Sequence, residues 1–341
     1  MRTDRGCTML TSRPTQADVA KMAGVSRQLV SLVVRDDPRV SPERRRRVHE
    51  AMEKLGYRPN AAARSLATQR TGIVGIVVPG FANPYYGELT EAMRDAGERA
   101  GWDPLIASVG EDPAREVQAI ERFLELNVDA LVLVSPLTDS ETLDRYGEMV
   151  PTVVVTRNQA PASVDLLHYD DRAVGRMATQ HLLDRGYSPV VFIGFERPVV
   201  GDSSGERRQG YVETVEAAGQ EPISVILTDP ADEGEIVDSL VVDLGTGFGI
   251  VCHNDQLAIM VAATCKRAGL FPGRDVGITG VDNTIWAALP GIELTSTDQD
   301  LDRMARTTYK LIAERLEGRT RTKEIVQPPR LVTRASSDPA M

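Results

Sequence analysis

Residues 15–34, TQADVAKMAGVSRQLVSLVV, carry the pattern of two short amphipathic helices hinged at Ala23-Gly24. Thr15 is placed to cap the first helix, with Asp18 at the reciprocal capping position, and Ser26 to cap the second just after the turn. Gly24 supplies the positive φ that a tight helix-to-helix turn needs. Val19, Ala20, Val25, Val30 and Val33 recur at spacings that let the two helices pack, which leaves Arg27, Gln28, Ser31 and Arg35 facing outward. Outward Arg and Gln at the start of a second helix suit base edges, because Arg can pair guanine bidentately and Gln can pair adenine. The unit reads as a helix-turn-helix that presents its second helix to the DNA major groove.

Working outward, a third helix is expected from Ser41-Pro42-Glu43 to Leu55, with Ser as cap, Pro at the first helical position and Gly56 as the stop. Arg44 to Arg47 fall in its first turns, and next to a helix-turn-helix such a run points to phosphate contact more than to a solvated helix face. Tyr57-Arg58-Pro59 reads as an extended break, and NAAARSLA at 60–67 as a short helix between two domains. The net charge of -10 looks wrong for a DNA binder until the chain is divided at residue 70. Residues 1–70 hold 15 basic and 7 acidic residues, a net +8, which leaves -18 on the remainder. Screening confines attraction to phosphate to about 8–10 Å at physiological salt, so the local balance decides.

With 42% hydrophobic and 26% charged residues, 341 residues suit a globular protein of two or three domains. No apolar run approaches the roughly 20 residues of a membrane span and the N-terminal residues lack a signal peptide's apolar stretch, so a cytoplasmic protein with no membrane partner is expected. Cys7, Cys252 and Cys265 lack metal-ligand spacing and are odd in number, and the four histidines are scattered, so neither metal nor disulfide framework is expected. GDSSG at 201–205 has a protease-like look without a companion histidine motif, and GTGFG at 245–249 precedes its strand instead of joining strand to helix, which disqualifies it as a dinucleotide loop. No phosphate loop, metal cluster or paired catalytic carboxylates support an enzyme, and no cofactor is called for. A solute-binding protein serving a transporter is opposed by the basic head.

From Thr71 onward, apolar β-branched runs alternate with helical periods, the signature of parallel sheets covered on both faces. The expected strands are GIVGIVVP (72–79), ALVLVS (130–135), TVVVT (152–156), PVVFIG (189–194), GIVCHND (249–255) and VGITGVD (276–282). Helices are expected at 86–100, 113–126, 172–185, 207–218, 256–268 and 300–317. Two doubly wound lobes of about 130 residues fit better than one large sheet, with a ligand cleft between them at the carboxyl ends of strands.

Taken in order, DVAKMAGVSRQLVS, VSPERRRRVHEAMEKLGYRPNAAARSLAT, FANPYYGELTEAM, HLLDRGY, ERRQGY, CHNDQLA and GVDN resemble the lactose-repressor/galactose-repressor family of bacterial transcription regulators over residues 14–336. The resemblance implies a small all-α helix-turn-helix head plus an α/β core of two doubly wound parallel-sheet lobes of periplasmic-binding-protein type. It implies a flexible extension at 1–13, a head at 14–58, a hinge at 59–71, a core at 72–336 and a tail at 337–341. Lobe 1 would take 72–168 and 301–327, and lobe 2 169–298 and 328–336, with three crossovers between them. The partners implied are a pseudo-palindromic duplex operator, a small sugar-like effector, and a second copy of the chain in a homodimer, with effector binding changing the lobe angle and hinge order. An acidic, phosphorylated or nucleoside-like effector acting as corepressor is the alternative.

By the same resemblance, Thr15, Gln16, Ser26, Arg27, Gln28, Ser31, Arg35, Arg44, Tyr57, Asn60 and Arg64 are expected at DNA, and Leu66 is the hinge leucine that wedges into the minor groove. Where the family often has Arg and Asn on the recognition helix, this chain has Leu32 and Arg35, so its operator should differ from the family's usual one. Effector contacts are expected from Asn83, Tyr85 and Tyr86, Arg157, Ser203 and Arg207, Asn254 and Asp255, and Asp282. Aromatic faces with Arg and Asp suit a hydroxylated ring. The family's frequent Asp after the third expected strand is Thr156 here, with Arg157 beside it, which would favour an anionic effector.

Overall fold

A computed structural model describes residues 14–34, 37–58, 70–195, 202–228 and 233–338. Arg35, Asn60, Arg64, Leu66, Cys7 and the expected extension at 1–13 lie outside the described residues. The chain divides into two compact units, Met1–Thr71 and Gly72–Met341.

The first unit holds α1 (Gln16–Ala23), α2 (Arg27–Val34) and α3 (Pro42–Leu55). Val19, Val30 and Val48, all fully buried, anchor its core, with Ala20, Ala23, Val33, Ala51 and Met52 around them. Gly24 ends α1 at φ 64° and Gly56 ends α3 at φ 62°. Ser41 holds the N-cap position of α3 in extended conformation, but its hydroxyl caps nothing; Pro42 starts that helix instead through its preset φ.

The second unit alternates strands and helices: β1 (Ile73–Val78), α4 (Pro84–Arg99), β2 (Asp103–Ser108), α5 (Pro113–Glu125), β3 (Ala130–Val134), α6 (Ser140–Met149), β4 (Thr152–Val155) and β5 (Asp165–Tyr169). It continues with α7 (Asp171–Asp184), β6 (Val190–Phe195), α8 (Ser203–Ala217), β7 (Ile223–Leu227), α9 (Glu233–Leu244), β8 (Phe248–Cys252), α10 (Asp255–Arg267) and β9 (Val276–Asp282). The last elements are β10 (Thr295–Asp298), α11 (Leu301–Leu316), β11 (Glu324–Gln327) and β12 (Arg330–Val332). Two six-stranded sheets result, ordered β11-β5-β4-β3-β1-β2 and β12-β10-β9-β8-β6-β7. The first is parallel throughout; in the second, β12 runs antiparallel to β10, so that lobe departs from the all-parallel expectation at its edge.

In each lobe the strand order reverses beside the first strand, between β1 and β3 and between β6 and β8, which is where doubly wound sheets open a crevice for ligands. The chain crosses between lobes after Tyr169, after Asp298 and after Gln327, and α11 packs Met304, Tyr309 and Ile312 onto the first lobe. Lobe 2 extends further than expected: Ser337 and Asp338, assigned to a tail, are buried, with His181 bonded to Ser337 at 2.8 Å and Arg185 paired with Asp338 at 2.7 Å.

The pair α7 and α8 is packed backbone to backbone. A Cβ at Gly175 would stand 2.0 Å from the Arg207 carbonyl oxygen, and one at Gly210 2.0 Å from that of Arg172. Only glycine at both positions permits this approach. Among the described residues no helix is long and apolar enough to cross a membrane.

Candidate functional site

The head presents its second helix on a braced frame. Thr15 Oγ1 accepts from the Asp18 amide at 3.3 Å, and the Asp18 carboxylate accepts from the Thr15 amide at 2.8 Å; these bonds hold the Asp18 carboxyl below the usual carboxylate range. Ser26 Oγ accepts from the Leu29 amide at 3.1 Å, which fixes the start of α2. Arg27 and Gln28, the first two residues of α2, are exposed, while Val30 and Val33 face the core. Gln16 and Ser31 are half-buried; Leu32 and Tyr57 pack against the head's core.

The arginine run divides by role. Arg47 Nη2 donates to the Ala23 carbonyl at 2.6 Å, tying α3 to the end of α1, and Arg45 Nη2 donates to the Asp37 carbonyl at 2.7 Å. Arg44 and Arg46 are exposed, with Arg46 3.7 Å from Glu50. Two of the four side chains therefore brace the fold, a task the sequence pattern did not separate from phosphate contact.

In the core, a cavity of about 310 Å³ opens between the lobes at the carboxyl ends of β1, β3, β4, β6, β8 and β9. It is lined by eight of the nine residues expected there: Asn83, Tyr85, Tyr86, Arg157, Ser203, Arg207, Asn254 and Asp282. Asp255 is the exception. It is fully buried beneath the cavity, where its carboxylate accepts from the Thr284 amide at 2.7 Å, the Thr284 hydroxyl at 2.9 Å and Ser296 Oγ. Its neighbour Asn254 caps α10 and leaves Asp255 pointing inward, so the acid is a structural anchor; burial raises its pKa to about 6.

Lobe 1 contributes mainly hydroxyls. Asn83 caps α4, its Oδ1 accepting from the Tyr85 amide at 3.0 Å, and this turns Tyr85 and Tyr86 into the cavity, edge to face with centroids 5.4 Å apart. Tyr86 lies 3.5 Å from Ser135 Oγ, which is bonded in turn to Thr156 Oγ1. Ser135 and Thr156 directly follow β3 and β4 in the left-handed region, at φ 45° and 65°, a conformation that costs non-glycine residues of order 1–3 kcal/mol. Arg157 lines the wall, yet its Nη1 donates to the carbonyls of Thr138 at 3.2 Å and Pro136 at 3.4 Å. Burial lowers its pKa, opposed by Glu116, which also holds the amides of Leu137 and Thr138.

Lobe 2 contributes charge. Arg207, on the first turns of α8, donates from Nε to Asp171 at 2.8 Å and from Nη1 to the His253 carbonyl at 2.7 Å. Asp282 ends β9 at φ 110° and accepts from Gln299 Nε2 and from the Asn83 side chain. Burial pushes its carboxyl well up, against the pull of the Arg207 cation. The hydroxyl of Tyr85 completes the group by donating to Gln299 Oε1 at 3.3 Å. Ser203 reaches across the cleft and donates to the Thr156 carbonyl at 3.3 Å.

Ser135, Asp171, Phe195, His253 and Gln299 escaped the sequence reading. Ser135 and Phe195 stand at the carboxyl ends of strands and were within reach of that rule. Asp171 and Gln299 lie on crossovers, where no periodicity marks them.

Comparison with known proteins follows the same division. Residues 15–60 match the bacterial regulatory proteins of the lacI family, and residues 179–337 match a periplasmic binding protein-like domain. The HTH-type transcriptional regulator DegA of Bacillus subtilis is 27% identical over 335 residues, covering 96% of this chain and 99% of that protein. The crystal structure of the Lac repressor dimer bound to operator and the anti-inducer ONPF superposes with a TM-score of 0.83 at 22% identity, covering 96% of this chain and all of that one. A complex of the transcriptional regulator CelR with cellobiose gives a TM-score of 0.68 at 26% identity, covering 95% of this chain and 100% of that one.

Proposed function

We infer, from the premise that this chain belongs to the lacI family of bacterial regulatory proteins and is a DNA-binding transcriptional regulator, that it is a homodimeric repressor whose operator affinity is switched by an uncharged, sugar-like effector held between the core lobes. The Lac repressor dimer on its operator supports the assembly and the DNA partner, and the CelR–cellobiose complex supports a sugar as the class of effector. Arg27 and Gln28 read bases from the start of α2, and exposed Arg44 approaches phosphate.

The observation that carries the effector class is the charge balance of the cavity. Its wall bears Glu111, Asp202 and Asp282 against Arg157 and Arg207, and both arginines are already engaged, Arg207 by buried Asp171 and Arg157 by two carbonyls. A phosphate or carboxylate would meet two arginines that already have partners, with Glu111 and Asp202 on the same wall. Vicinal hydroxyls instead find the Arg207 and Asp282 pair on one side, the hydroxyls of Ser135, Thr156 and Tyr86 on the other, and two tyrosine faces. This favours a neutral ring over the anionic effector that Arg157 suggested in the sequence.

The test is selection of genomic fragments bound by the full chain, followed by titration of the selected duplex with cellobiose, D-ribose and D-galactose and with their phosphorylated counterparts. Release or tightening by a neutral sugar alone is expected. A response confined to phosphorylated sugars would overturn the effector class, and salt-insensitive or absent duplex binding would overturn the regulator itself.

A further inference from the structure

Two charged side chains of the cleft, Arg207 and Asp282, are each held by a residue on a different crossover. Asp171 stands at the start of α7, two residues beyond the end of β5, and accepts the Arg207 Nε–H at 2.8 Å. Gln299 stands between β10 and α11 and donates to the Asp282 carboxylate while accepting from the lobe 1 hydroxyl of Tyr85. All four residues are almost completely buried. The Arg207 carbonyl lies directly against α7 at Gly175, and the ion pair with Asp171 ties its side chain to the start of the same helix. Displacing Arg207 therefore displaces the first crossover, and displacing Asp282 loads the second.

We propose that Asp171 and Gln299 are positioning residues that convert occupancy of the cleft into a change of angle between the lobes, Asp171 through the first crossover and Gln299 through the second. This rests on the cleft being the effector site. A buried amide that bonds an acid of one lobe and a tyrosine of the other is satisfied only at one lobe spacing, since a shift of an ångström breaks one of its bonds. The amide of Gln299 thus selects the lobe arrangement seen here even before an effector arrives.

The test measures the lobe angle directly. Nitroxides attached at Glu148→Cys on lobe 1 and Glu216→Cys on lobe 2 of the full chain report the inter-lobe distance by pulsed electron resonance. Without any sugar, Gln299→Met lengthens and broadens that distance, the population with the present spacing falling roughly fivefold, which is what one net hydrogen bond carries. Asp171→Asn keeps an acceptor for Arg207 but removes the ion pair, and gives a smaller change in the same direction. Unchanged distances in Gln299→Met overturn the proposal, and that variant decides the matter if Asp171→Asn fails to fold. In a second arm, saturating cellobiose, D-ribose or D-galactose shifts the distance in the parent chain, and the variants shift less. If none of the three moves the parent chain, the effector reading fails, while the sugar-free distances still decide the positioning role.

Discussion

Substituting Gly175 by alanine tests the contact on which the rigid pairing of α7 and α8 depends. The new Cβ would meet the Arg207 carbonyl oxygen at 2.0 Å and its carbon at 2.8 Å, both backbone atoms that no rotamer change can clear. An ordinary carbon to oxygen contact is well over 3 Å, so the helices must part by more than an ångström. Overpacking of this kind costs about 1–3 kcal/mol; the backbone clash places Gly175→Ala at the upper end, which leaves a net cost of about 2 kcal/mol after about 1 kcal/mol is regained from helix propensity. For a unit of this size each kcal/mol lowers Tm by about 2–4 °C, so the core transition should fall by roughly 4–8 °C. Gly205→Ala on α8 is the internal control, since a Cβ there meets nothing within 4 Å, and it should hold or raise Tm by about 1–3 °C. The assay is calorimetry of the full chain, following the core transition. Equal Tm values for the two alanine variants would refute the backbone contact.

Three further outcomes follow from the same geometry. Asp255 has its pKa raised by burial to about 6 from 3.8, so the folded chain binds its proton more tightly than the unfolded one. Its contribution is most favourable below about pH 4 and is lost as pH rises through about 6, by roughly 3 kcal/mol; the Tm of Asp255→Asn relative to the parent should therefore rise between pH 4.5 and 7.5, and a constant difference would refute the assignment. Thr15→Ala removes the capping box of α1 and should cost the head about 1 kcal/mol, seen as faster amide exchange across Gln16–Ala23 with core exchange unchanged. Arg27→Ala should weaken binding of the selected operator by about 1–3 kcal/mol and relax sequence preference at one position in anisotropy titrations, whereas equal loss on all duplexes would reassign Arg27 to phosphate.

The head was legible because its determinants are local. Thr15, Asp18, Gly24 and Ser26 act within one turn of themselves, so caps and turn could be read residue by residue. The six strong strands were legible because a strand buried on both faces must be apolar along its length. The strands that escaped share a different chemistry. In β10, Thr295, Ser296 and Thr297 are fully buried, and Thr295 and Ser296 are satisfied by partners distant in sequence, Arg334 and Asp255, so the strand carries no hydrophobic signal. In β5, Asp165 is buried against Arg319 and breaks the apolar run, and β2 at the sheet edge is half exposed.

The sequence by itself determined that a helix-turn-helix precedes two doubly wound lobes and which strand ends would supply the cleft, because caps, turns and apolar periodicity are properties of neighbouring residues. Only the tertiary structure decided what each polar side chain does there. Asp255 lies just past β8 and Asp282 is the last residue of β9, yet one anchors Thr284 and Ser296 while the other faces the cavity. Arg45 and Arg47 brace carbonyls while Arg44, in the same run, stays exposed. A buried charge takes its role from whichever groups the fold brings within about 3 Å of it, and those groups come from remote parts of the chain.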